Sequence, residues 1–230
     1  MYRTPCSLLN RELPLAVFLL LIVPAMLLTS CGSPEKQDSA PTVEEEVDLE
    51  NADVYTLEVV KDRKTKDLYF IRDDNSPIPI ADREYFQRLN YYAPDKAFAF
   101  ETTLDRLPEP ESIIMATSKD KPRTMLHIGH LPFTYEGTEH RLAVYQPEDT
   151  TGGLYWFIPF TDATTGTETY SGGRYIDIER PYSDTIFLDF NYAYNPYCAY
   201  NDKYDCPIPP EENALPIAIK AGEKNYSTAH

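Results

Sequence analysis

Positive charge is scarce in this chain. Its 230 residues hold 21 Lys and Arg against 37 Asp and Glu, a net charge of −16. Phosphate recognition needs a basic patch, so nucleic acid is not an expected partner. Glycine is limited to nine residues, and none of them builds a nucleotide loop. The run "TTGTETYSGG" lacks the flanking strand and helix, and the Lys-Ser/Thr ending, of a phosphate site; its glycines read as turn residues. There is no G-x-S-x-G elbow, and no cysteine stands beside an evident base. Nucleophilic catalysis therefore finds no support. No internal repeat is visible, and only one long apolar run exists.

That run, "LPLAVFLLLIVPAMLL" (Leu13 to Leu28), follows Arg3 and Arg11. It falls short of the roughly 20 apolar residues a spanning helix needs, and Pro14 and Pro24 interrupt it. The profile is that of a secretory signal peptide, residues 1–30. "LTSC", Leu28 to Cys31, resembles a bacterial lipobox, which makes Cys31 the expected lipidation site. Each buried CH₂ contributes roughly 0.8 kcal/mol, so several acyl chains would anchor the protein to a membrane. Gly32, in place of Asp, points to the outer membrane. Without residues 1–30, which hold Arg3, Arg11 and Glu12, the chain keeps 19 bases and 36 acids. Residues 31–48 are polar and acidic, and cannot bury enough apolar surface to offset ordering. They read as a tether, with residues 49–230 as one domain.

Within that domain, Leu57, Val60, Lys64, Leu68 and Ile71 recur at helical spacing, which predicts one N-terminal amphipathic helix. A shorter turn is expected over "ADREYFQRL". Beyond Tyr92 the period changes to two. "AFAFETTL", "ESIIMATS", "RTMLHIGH", "HRLAVYQ", "LYWFIPF", "RYIDI", "TIFLDFN" and "LPIAIKA" read as short strands between turn-rich pieces. The connections are too short for crossover helices, so the sheet is antiparallel. The fold class is mainly β: a barrel-like or sandwich sheet, one helix, and a long proline-rich C-terminal loop.

Alternation assigns faces. Ile186, Leu188 and Phe190 share one side of their strand; Phe187, Asp189 and Asn191 share the other. Tyr175 and Asp177 lie opposite Arg174, Ile176 and Ile178. With Asp162, Glu168, Glu212, Asn213 and Glu223 these form a set of acids and amides. They could line one pocket for a polyol or peptide, or supply an acid/base pair. The reading favoured by their spacing, which singles out no catalytic pair, is that they tie down loops by capping backbone N–H groups. "HIGH" assigns no metal site: His127 and His130, three apart, face opposite ways unless a bulge forms near Gly129. His140 lies on another strand, and zinc wants three or four ligands. No cofactor is implied.

The densest stretch is "DFNYAYNPYCAYNDKYDCPIPPEEN", residues 189–213. Tyr192, Tyr194, Tyr197, Tyr200 and Tyr204 suit a recognition surface and a self-packed loop alike. Cys198 and Cys206, in an oxidising compartment, are expected to pair as a disulfide. A nine-residue closed loop stabilises by about 2.5 kcal/mol in the chain-entropy description.

This stretch, with "FTDATTGTETYSGGRYIDI" before it and "AGEK" after it, resembles the bacterial family called domain of unknown function 1684. The resemblance runs from about residue 50 to Lys224. It implies no reaction. It marks Thr169, Tyr170, Gly173, Arg174, Asp189, Asn191, Asn195, Cys198, Cys206, Glu212, Asn213 and Glu223 as positions that matter, for folding or for chemistry. It also implies relatives without export signals that carry the same cysteine pair, whose thiols would stay free.

The reading at this level is an envelope lipoprotein that binds a small polar, glycan or peptide ligand. The expected site residues are Tyr170, Arg174, Asp177, Asp189, Asn191, Asn195, Glu212, Asn213 and Glu223. A hydrolase working through a carboxylate pair is the alternative, and a scaffolding lipoprotein without a ligand site is the third.

Overall fold

A computed structural model describes residues 48–148, 155–179 and 183–226. The signal peptide, Cys31 and nearly all of the tether lie outside the described residues. Among the described residues no helix is long and apolar enough to cross a membrane.

The helix forms where expected, as α1, Val54–Arg72. Asp53 starts it, its side chain accepting the Thr56 N–H at 2.8 Å, which satisfies a donor the first turn cannot pair. The buried face is not the expected one. Leu57 and Leu68 are exposed, whereas Val59 and Phe70 are buried. The docking stripe is instead Tyr55, Val59, Arg63, Lys66, Asp67 and Phe70. The Tyr55 hydroxyl donates to Asp189 at 2.8 Å, Arg63 to the Tyr92 carbonyl at 2.8 Å, and Lys66 to Glu223 at 2.5 Å. Asp67 accepts the Leu89 N–H at 2.9 Å. A helix docked by polar side chains does not follow apolar periodicity. Over "ADREYFQRL" only a short 3-10 turn forms, Ile80–Asp82.

Among the described residues seven strands follow: β1 Ala99–Thr103, β2 Asp105–Met115, β3 Arg123–Tyr135, β4 Thr138–Pro147, β5 Tyr155–Phe160, β6 Arg174–Glu179 and β7 Thr185–Asp189. β2-β3-β4-β5-β6 form a five-stranded sheet in chain order, and β1 pairs with β7 in a second. Every strand pairing is antiparallel. The protein is mainly β, but the barrel-like alternative is not what forms: β2 and β6 stay unjoined as edges, so nothing closes the sheet.

The five-stranded sheet has two differently covered faces. On the inner face Leu131, Leu142, Val144, Trp156, Ile158, Phe160 and Ile176 meet Ile186, Leu188 and Phe190 near the β1–β7 pair, together with Leu215, Ile219 and Ala221. The outer face carries Met125, Ala143, Tyr145, Phe157 and Tyr175. Packed with α1, Phe70 joins Ile78, Phe86, Leu89 and Tyr200 in a third cluster.

"LPIAIKA" was expected to be a strand and is not one. The segment is buried at Leu215, Ile219 and Ala221, yet a side chain takes its carbonyls where a neighbouring strand would. Arg174 donates to the carbonyls of Ile219 at 2.8 Å, of Ala221, and of Glu223 at 3.1 Å. Gly222 permits this close path: φ is +75°, and a Cβ there would stand 2.6 Å from the Ala193 carbonyl oxygen.

Candidate functional site

Most of the expected site residues are braces. Arg174 is 1% exposed; besides the three carbonyls it meets Asp162 at 2.5 Å, and its guanidinium lies 5.3 Å from the Phe160 ring centre. A fully buried, multiply bonded guanidinium has no face left for a ligand. Asn213 is equally enclosed. Its oxygen accepts the Ala143 N–H at 2.7 Å, and its amide donates to the carbonyls of Ala143 at 3.0 Å and Pro159 at 2.8 Å. β4 and β5 pair at a single register position, Tyr145 with Phe157. Where they part, the Asn213 amide takes the place of a peptide group.

Glu223, 1% exposed, gathers four groups from three segments. It accepts from Lys66 at 2.5 Å, the Asn195 N–H at 2.8 Å, Tyr91 at 3.4 Å and the Tyr200 hydroxyl. Asn195 donates onward to the Lys224 carbonyl at 2.8 Å. Asn191 accepts the Asp95 N–H at 2.8 Å and donates to Tyr55 at 2.7 Å and the Asp95 carbonyl at 2.7 Å. Asp189 accepts from Tyr55 and from the Asn191 N–H at 2.9 Å. Arg174 and Asp189 thus occupy separate networks, and the sequence-level grouping of the two does not form.

What opens instead is a cavity of about 890 Å³ over the outer face of the sheet, bounded by α1 and the terminal loop. Its walls include Tyr155, Phe157, Tyr175, Tyr194, Tyr197 and Tyr204, and its polar groups include Lys66, Arg123, Asp177 and Asp205. A volume within roughly 300–1,000 Å³, with aromatic walls and a few polar groups, is that of a small-molecule site. Of the nine expected binding residues, Asp177 alone lines it. Alternation on β6 places it there: Tyr175 and Asp177 point outward while Arg174 and Ile176 point inward.

Asp177 keeps surface open to the cavity, yet rings and chain surround its carboxyl. This desolvation lifts its pKa to about 6, although the Tyr194 hydroxyl donates to it and pulls the other way; that bond is 2.6 Å long. Asp205 behaves oppositely. Burial acts to raise its pKa, but the Thr117 hydroxyl, the Lys119 N–H and nearby Arg123 outweigh it and hold the carboxyl low. Lys66 stands 4.7 Å from the Tyr194 ring centre and reaches the cavity while bonded to Glu223.

Sequence reasoning missed Lys66, Arg123 and Tyr155. The helical stripe from Tyr55 to Phe70 was the available signal for Lys66, since its spacing is helical although its chemistry is polar. Nothing in local pattern marks Arg123 or Tyr155, which the meander brings across from distant strands.

The expected disulfide is not formed. Cys198 and Cys206 are free thiols, with the Cys206 sulfur accepting the Cys198 N–H at 3.2 Å. A thiol–thiol hydrogen bond takes the place of the covalent link. It holds the Cys198 thiol well below its ordinary pKa, burial opposes this, and the Tyr170 hydroxyl adds to the lowering. That hydroxyl lies 3.6 Å from the Cys198 sulfur, which accounts for Tyr170. Cys206 shifts upward, first through its bond to Cys198 and then through burial.

The remaining expected residue, Glu212, faces His130. The bulge that "HIGH" required is present, the β3–β4 register slipping between His127 and Gly129. His140 does not join them; it packs at 5.4 Å on Phe133, an inner-face residue.

The family model described as a protein of unknown function, DUF1684, matches residues 84–224. The chain is also similar to an uncharacterized protein of Haloarcula marismortui known from its solution NMR structure. The two share 40% sequence identity and a TM-score of 0.57, over 73% of this chain and 92% of that one. No curated protein matches the chain. The chain belongs to the DUF1684 family, and α1 precedes the matched segment.

Proposed function

We propose that this DUF1684 member is a lipid-anchored envelope protein that binds a small polar ligand, a glycan or a short peptide, in the aromatic cavity. The carrying observation is the cavity itself: tyrosine walls, packed edge to face, around one carboxyl whose pKa is raised to about 6 and two cations. Flat rings with polar tips suit sugar faces and peptide side chains at low entropic cost. The lipobox-like "LTSC" and the acidic tether support an anchor at Cys31 on the outer membrane, with the domain standing clear of the lipid surface.

The test is titration calorimetry against a panel of oligosaccharides and short peptides. Binding of a ligand that offers donors to Asp177 is expected to strengthen as pH rises from about 5 to 7, because the carboxyl then ionises. Asp177→Asn should flatten that dependence and Tyr155→Ala should weaken binding. A panel with no binder, or a binder indifferent to both substitutions, ends this reading.

One observation favours a second reading. Asp177 and Asp205 line the same cavity with pKa values pushed apart, the arrangement of an acid and its charged partner. A hydrolase of this kind would lose turnover, with ligand affinity kept, in Asp177→Asn.

A further inference from the structure

His127 and His130 are three apart on β3, a spacing that sends side chains to opposite faces of a regular strand. The bulge reverses this. Register runs from His127 opposite Tyr145 to Gly129 opposite Val144, so Ile128 and Gly129 together face one residue. Both imidazoles then emerge on the outer face, their centres 4.9 Å apart and their planes at 84°. The His127 ring sits 5.4 Å from Tyr145. Only glycine fits the kink: φ is +153°, and a Cβ on Gly129 would meet the Asp105 carbonyl oxygen at 2.3 Å.

Glu212 arrives from the terminal loop. One carboxylate oxygen lies 3.8 Å from His130 Nε2, and the other accepts the Tyr145 hydroxyl. One donor atom from each of His127, His130 and Glu212 falls within 4.8 Å of the others. We propose that these three side chains bind one divalent transition-metal ion of the zinc class.

The donor set decides the class. Two imidazoles and a carboxylate suit zinc, copper, nickel or iron(II), whereas magnesium and calcium prefer oxygen alone. Three protein ligands leave the fourth tetrahedral position to water. Bonds of roughly 2.0–2.2 Å bring tetrahedral donors to about 3.4 Å from one another, so the His130–Glu212 pair needs only a small contraction. His127 Nε2 bonds the Gly129 carbonyl at 3.2 Å; ligation through Nδ1 keeps that bond, as metal-bound histidines commonly do with a backbone acceptor. Tyr145 acts as an outer partner that aims Glu212. His127 is buried, but His130 and Glu212 keep 18% and 46% of their side-chain surface exposed, which gives an ion a way in. None of the three lines the aromatic cavity, so this site stands or falls apart from the proposed ligand site.

The experiment is zinc titration of tag-free, chelator-stripped protein in competition with a chromophoric chelator. One zinc per chain is expected. His127→Ala and His130→Ala should each weaken it at least about 10-fold, and Tyr145→Phe about 10-fold, the usual cost of losing an outer partner. His140→Ala, on the other face, should leave affinity unchanged. Melting with and without zinc guards against misfolded variants: zinc should raise the Tm of the wild type and of His140→Ala but not of His127→Ala. No saturable uptake by the wild type overturns the proposal, leaving an ordinary His–Glu contact. Uptake undiminished in the His127→Ala/His130→Ala double variant also overturns it, as does displacement of zinc by millimolar magnesium.

Discussion

Arg174 and Asp177 lie three residues apart on one six-residue strand, yet they do opposite work. Arg174 faces inward, where Asp162, Phe160 and the carbonyls of residues 219, 221 and 223 enclose its two terminal nitrogens. Asp177 faces outward, where a single tyrosine hydroxyl holds it and open volume begins. Strand alternation explains which side each takes. What covers each side decides whether a charge serves as mortar or as bait. The contrast warns against grouping polar residues by type, because the more heavily bonded charge is the less available one.

The largest effect should come from the inward side. Arg174→Ala would leave Asp162 buried without its cation and three carbonyls unmet, a loss of about 3–5 kcal/mol or outright failure to fold. Asp177→Asn should stay within about 1 kcal/mol in the same urea titration. Equal midpoints for the two variants would erase the contrast.

Next comes Asn213, the inserted amide between β4 and β5. Asn213→Ala strands the Ala143 N–H and two carbonyls, and should cost about 2–4 kcal/mol. Hydrogen exchange would locate the loosening at Ala143; unchanged protection there would mean that water or backbone shifts replace the side chain.

The smallest effect concerns the outward thiols. At pH 7 iodoacetamide should label Cys198 before Cys206, since the Cys198 thiolate is favoured by its hydrogen bonds. Tyr170→Phe should slow labelling several-fold by removing one donor. Mass spectrometry reads both rates, and an unlabelled chain two mass units light would restore the disulfide.

Much of the fold was legible. Each of β1 to β7 overlaps a run that the two-residue period marked, although β2 begins six residues before its run and β3 ends five after; the faces of β6 and β7 are as alternation requires, because packing against one apolar layer enforces them. The errors share a cause. Leu57 and Leu68 misled because α1 docks through Tyr55, Arg63, Lys66 and Asp67. "LPIAIKA" misled because Arg174 satisfies carbonyls that a strand would otherwise claim. In both places side-chain polar groups replace the interactions that periodicity reports. The candidate site was less legible still: Asp177 was among the residues named, but the cavity it lines is walled by residues from α1, β3, β5 and the terminal loop, and no local window contains that closure.

Glu223 carries a consequence for biosynthesis. The four groups it unites belong to α1, to the segment before β1 and to the terminal loop, and all of them leave the ribosome before it does. Their positive and hydroxyl groups must wait, solvated and unlatched, until this late carboxylate is delivered. A chain halted before residue 223 should still dock α1 through Tyr55, Arg63, Asp67 and Phe70, but it would lack the acceptor that Lys66 and Tyr200 share, so this carboxylate tightens a contact already made.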